Sequence, residues 1–199
     1  MNSPIDNLGT WVETRAAILF TRAVRVAFGL CLAMLTLSAA SKAQSQSELR
    51  VKAAYVFNLT KYVEFSTPRD HLVIGIVGDG PMVETLRSEL SGKISDSRPI
   101  IILVGPSDDE LRKCDLLYVA GSSNKRIQLL LQHASTHKLL TVGDASSFAD
   151  LGGVVGLVTV GERVEIRINL EASRKADLRI SSRLLNLATV IGVAPERGR

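Results

Sequence analysis

The stretch Cys114–Asn124, CDLLYVAGSSN, decides the fold. Leu116, Leu117, Tyr118, Val119 and Ala120 form an unbroken apolar and aromatic run, and Gly121, Ser122, Ser123 and Asn124 end it abruptly. A strand with no polar face is covered on both sides, which in a domain of this size points to a parallel sheet between helices. Ser122, Ser123 and Asn124 are good helix N-caps, and Ile127, Leu130, Leu131 and Ala134 follow at helical spacing. A strand, a short turn and a helix make half of a βαβ unit. The expected class is therefore α/β: a mostly parallel central sheet of about five to six strands, helices on both faces and a C-terminal β-hairpin.

Upstream, Glu48 to Phe65 lacks Gly and Pro and places Val51, Tyr55, Leu59 and Tyr62 on one stripe of an amphipathic helix, with Arg50, Asn58 and Lys61 on the far side. His71 to Val77 reads as a second strand, and Gly78-Asp79-Gly80-Pro81 turns it into a helix carrying Met82, Val83, Leu86 and Leu90, which Gly92 closes. Pro99 to Val104 reads as a short buried strand. Asp108, Asp109 and Glu110 then start a helix, where acidic side chains suit the dipole.

Downstream, Lys138 to Val142 is a strand ending in Val142-Gly143-Asp144, the same tripeptide as Val77-Gly78-Asp79. Two such ends could bring Asp79 and Asp144 to one sheet edge, although two independent turn residues explain them more simply. Val154 to Val160 and Arg163 to Leu170 form a hairpin around Gly161-Glu162, with Gly where a type II′ turn prefers it. In its second arm Val164, Ile166, Ile168 and Leu170 alternate with Arg163, Glu165, Arg167 and Asn169, which places the arm near the sheet margin. The last segment starts helical, breaks around Asp177 to Ile180 and restarts with Ser181 or Ser182 as N-cap. Leu184, Leu187, Ala188 and Ile191 then face the core, and Arg179, Arg183 and Asn186 stay outside.

At the N-terminus, Arg15, Arg22 and Arg25 precede the apolar run Val26 to Leu37, and small residues follow to Ala43. About twelve apolar residues are too few for a bilayer core of ~30 Å, so residues 1–43 read as a cleaved secretory signal rather than an anchor. The expected first residue of the mature chain is Gln44 or Ser41, and residues 44–199 are expected to form a single domain. The signal carries four of the 24 Lys/Arg and two of the 20 Asp/Glu, so the mature chain has a net charge near +2. That balance gives no argument for nucleic acid. Cys114 is the one cysteine of the mature chain, so no internal disulfide is expected and the thiol reads as buried and inert.

No GxSxG elbow, HExxH, CxxC, P-loop, dinucleotide fingerprint or EF-hand loop is present, so no catalytic residue, metal site or cofactor is expected. His133 and His137 are four apart on a helix, yet no Glu lies between them and no third ligand is evident.

VKAAYVFNLTKYVEF, IVGDGP, CDLLYVAGSSN, LLTVGDASSF, GGVVGLV, RINL and LRISSRLLNLA, in that order, resemble the YfiR family of periplasmic proteins over roughly residues 48 to 191. The resemblance implies a periplasmic repressor of a membrane-bound sensor protein with a periplasmic domain, a diguanylate cyclase, with a homodimer and a small-molecule ligand as further partners. It also implies disulfides, and here the chain departs: Cys114 is kept, but VIGIVG carries Gly75 and no cysteine. The residues expected to contact a partner or ligand are Arg179, Ser182 and Arg183, with Asn58 and Lys61 of the first helix, because paired guanidinium N–H donors bind acidic groups. A periplasmic small-molecule-binding protein serving a transporter or receptor is the alternative, its pocket lying between the first helix and the C-terminal arginines.

Overall fold

The apolar run does become the middle of a sheet. In the computed structural model, which describes residues 45–65, 69–121 and 123–192, the chain opens with helix α1 (residues 45–62), strand β1 (Val63–Glu64), β2 (Leu72–Val77) and α2 (Pro81–Leu90). It continues with β3 (Ile94–Ser95), β4 (Arg98–Val104), α3 (Asp108–Leu111), β5 (Leu116–Val119) and α4 (Asn124–Ala134), which a 3-10 turn extends to His137. It ends with β6 (Leu140–Gly143), β7 (Val155–Val160), β8 (Arg163–Asn169), α5 (Leu170–Lys175), β9 (Arg179–Ile180), α6 (Ser182–Leu185) and β10 (Thr189–Ile191). Residues 1–43, and with them the expected signal, lie outside the described residues.

Among the described residues the main sheet has eight strands in the order β10-β8-β7-β6-β5-β2-β4-β3. From β7 to β4 the neighbours are all parallel; β8 and β3 run antiparallel to β7 and β4. From β2 the chain moves one way to β4, then returns to lay β5 on the other side of β2. The strand order therefore reverses between β2 and β5, beside whose C-terminal ends α/β folds place their ligands.

One face packs α1, α2 and the C-terminal segment, through Val56, Leu59, Leu86, Leu178 and Leu184, on Leu72, Ile74, Leu116 and Tyr118. The other packs Leu111 and α4 with Phe148 on Val73, Leu117 and Val119. Phe148 explains the Gly-rich block around it, since a Cβ on either Gly143 or Gly153 would collide with its ring. Those glycines make room for a core side chain.

Several expectations need correction. α1 buries Lys52, Ala53, Val56, Leu59 and Thr60, whereas Val51 and Tyr62 are 41% and 39% exposed. Of the expected stripe Leu59 is fully buried and Tyr55 partly so; the inner face is completed by Val56 and by small Ala53 and Thr60, which let the helix lie close on the sheet. β4 is half-exposed rather than buried, with Ile100 as its buried residue, because β3 covers two residues of its outer edge. Leu187 is 76% exposed instead of facing the core, since α6 stops at Leu185 and the chain becomes the edge strand β10. The hairpin of β7 and β8 stands as expected: Gly161 has φ +61° and Glu162 does not share a positive φ, which suits II′ rather than I′.

Candidate functional site

α1 and the C-terminal segment meet at a second, small sheet. β1 and β9 pair antiparallel, with Val63 opposite Ile180 and Glu64 opposite Arg179, and the Ser181 N–H donates to the Tyr62 carbonyl at 2.9 Å. The chain reaches this pairing because Asp177 takes a left-handed φ of +57° after α5, which ends the helix and redirects the backbone. Arg179 therefore sits on a strand and Arg183 on a four-residue helix. The break expected around Asp177 to Ile180 is present, and the two arginines do not share one helix.

Both arginines are exposed and neither makes an ion pair among the described residues. Ser181, not Ser182, is the N-cap of α6, with its Oγ accepting from the Arg183 N–H at 3.3 Å. Ser182 is exposed and free of that duty. Asn58 and Lys61 are also exposed, and the Lys61 ammonium lies 4.5 Å from the Phe57 ring centroid. The fold thus ties the 179–183 segment to the C-terminal end of α1, but no hydrogen bond or ion pair joins Arg179 or Arg183 to Asn58 or Lys61 among the described residues. The sequence reading missed Glu64, Phe65 and Asp177, which with Arg179 line an open cleft of about 350 Å³. Two-residue strands have no periodicity, so nothing in the sequence announced the pairing that brings these four together.

Other polar groups have structural roles. His133 Nε2 meets Asp108 Oδ1 at 2.9 Å, and no group of three or more metal-ligating side chains occurs among the described residues. Asp79 is an exposed turn residue, and Gly80 rather than Asp79 is the N-cap of α2. Asp144 instead accepts from the Gly121 N–H at 3.1 Å. The buried Asp115 carboxylate accepts from the Val73 N–H at 2.9 Å, and burial raises its pKa. Beneath α1, the buried Lys52 ammonium meets Glu48 at 2.8 Å, and the Thr159 hydroxyl donates to the same carboxylate at 2.5 Å; these bonds, Lys52 first, lower the Glu48 pKa. The Tyr118 hydroxyl is buried without a partner of hydrogen-bonding geometry among the described residues. Burial first, then the nearby Asp144 carboxylate, pushes its pKa well above the ordinary phenol value.

The chain is similar to a conserved domain protein of Vibrio cholerae, at 15% identity and TM-score 0.45, covering 59% of this chain and 54% of that one. It is similar to the ABC domain in complex with L-Trp from Streptococcus pneumoniae, at 14% identity and TM-score 0.46, covering 60% and 55%. A ligand-free substrate-binding protein with adhesive properties from Clostridium difficile gives 12% identity and TM-score 0.44 over 62% and 55%. The match thus spans about half the length of these solved structures. No curated protein sequence matches the chain. The sequence pattern of one family, YfiR/HmsC-like, matches residues 49–189, from α1 to the first residue of β10, and on that match the chain belongs to the YfiR/HmsC-like family.

Proposed function

We propose that this chain is exported by a cleaved signal at residues 1–43 and represses a membrane-bound sensor enzyme, a diguanylate cyclase, by binding its periplasmic domain. Membership of the YfiR/HmsC-like family supports a periplasmic, regulatory rather than catalytic role in diguanylate cyclase signalling. The observation that carries the finer reading is the pair of exposed guanidiniums, Arg179 and Arg183, which make no ion pair among the described residues and sit on a segment clamped to α1 through β1, β9 and the Ser181–Tyr62 bond. Two cations held on a rigid support lose little entropy when they engage an acidic patch. Ser182 lies between them, and Asn58 and Lys61 extend the polar surface along α1. Capture of membrane proteins with the tagged mature chain tests this reading: a protein with a periplasmic domain and a diguanylate cyclase domain should co-purify, and its absence under conditions that keep such a protein soluble would count against it.

The cleft of Glu64, Phe65, Asp177 and Arg179 favours a second reading, a small-molecule-binding protein serving a transporter or receptor. An aromatic wall beside charges of both signs suits a zwitterionic or mixed-polarity ligand.

A further inference from the structure

A second concavity lies on the opposite side of the sheet from α1. The crossover from β4 to β5 needs to cover the face formed by Val73, Leu117 and Val119, yet α3 has four residues, one helical turn. One turn is too short to fill the space that a two- or three-turn crossover helix fills. The result is an open groove of about 520 Å³ between α3 and α4, beside the C-terminal ends of β2 and β4, with Val77, Leu111, Leu117 and Leu130 among its walls. That volume lies within the range of small-molecule sites, and its lining is mainly apolar. Leu129 also lines it while remaining 59% exposed, so the helix presents an aliphatic side chain to open space rather than to the core.

The charges at the groove are unequal. Asp108 is engaged by His133 Nε2 at 2.9 Å, a contact that ties α3 to α4. Arg126, also in the lining, makes no ion pair among the described residues. Its helix has no acidic residue in the first turn, and no side chain caps the N-terminus. A cation there faces the positive end of the helix dipole, an unfavourable placement that an anion would relieve.

We propose that this groove binds a small amphipathic monoanion, with its carboxylate or sulfonate on the Arg126 guanidinium and its hydrocarbon body against Leu129 and Leu130. An apolar pocket with one placed cation selects such a molecule over a neutral or cationic one of the same size, because the guanidinium fork matches a carboxylate. The site lies apart from Arg179 and Arg183, and its occupancy is measured on the isolated chain with no partner present. Failure of the repressor reading would leave this site untouched.

Calorimetric titration of the purified mature chain with octanoate, and separately with octylammonium, tests it. Octanoate should bind saturably at one site in the sub-millimolar range, and octylammonium should not. Arg126→Glu, an exposed change that leaves the fold intact, should weaken octanoate roughly tenfold or more and admit octylammonium. Leu129→Asp, also exposed, should weaken octanoate by removing apolar wall and adding a like charge. The proposal is overturned by the absence of saturable octanoate binding, by equal octanoate affinity in Arg126→Glu, or by equal binding of both probes to the wild type.

Discussion

Cys114 Sγ lies 3.0 Å from the point where a Cβ on Gly75 would stand. The two positions face each other as a disulfide would need, since a bridge requires side chains at about this spacing. Gly75→Cys should therefore form a disulfide with Cys114 on oxidation. Closing a loop of ~40 residues stabilises by at most about 4 kcal/mol, less the strain of a side chain placed 3.2 Å from Pro106 and 3.3 Å from Leu117. The check is the melting temperature of the oxidised against the reduced variant, with thiol titration. Two free thiols after oxidation would show that β2 and the start of β5 are not in this register.

In the native chain the Cys114 thiol is closed off. It is 4% exposed, its S–H donates to the Glu110 carbonyl at 3.4 Å, and burial, then the Asp115 charge, pushes its pKa from 9.0 up to about 11. Because the folded state holds this proton more tightly, its contribution to stability is complete below pH 9 and is lost as pH rises through about 11. Wild type should therefore lose stability across that window by up to roughly 2–3 kcal/mol more than Cys114→Ala, itself lowered at neutral pH by about 1–2 kcal/mol through lost packing. Denaturant melts of the two proteins at several pH values test this. Parallel pH profiles would place the thiol in contact with solvent.

Tyr118 carries a burden that Phe would not. Its hydroxyl has no partner of good hydrogen-bonding geometry among the described residues; the Asp144 carboxylate is close enough to raise its pKa but is bonded to the Gly121 N–H. An unmade buried hydrogen bond costs about 1–3 kcal/mol, offset on deletion by a small void. Tyr118→Phe should leave stability unchanged or raise it by up to ~1 kcal/mol, as a chemical denaturation midpoint will show. A loss of more than 1 kcal/mol would mean that the hydroxyl is satisfied in solution.

The central strand could be read before the structure because Leu116 to Ala120 needed one inference, burial on both faces, and nothing else in the chain contradicts it. The hairpin was equally legible, since Gly161 and the alternation of β8 carry independent signals. β1, β3, β9 and β10 were not, because strands of two or three residues have no period and exist through their partners. The same gap concealed the geometry of the arginine surface. The spacing of the leucines places Arg179 and Arg183 outside the core and the break near Asp177 is legible in the sequence, but the pairing of Arg179 with Glu64 is a tertiary fact. The α3–α4 groove was invisible for a different reason: it is made by what a short crossover leaves uncovered.

The account stands or falls on Arg179 and Arg183. Neither is in an ion pair among the described residues, so Arg179→Glu with Arg183→Glu breaks no such contact, but it sets a carboxylate opposite Glu64 across β1 and β9 and should lower stability by about 1 kcal/mol at most. The decisive measurement is cyclic-di-GMP in cells whose native copy is replaced by this double variant, recovered from the periplasm and checked for its melting temperature. The account predicts a stably folded protein with cyclic-di-GMP raised to the level of a deletion strain; normal, low cyclic-di-GMP with the same folded protein would contradict it.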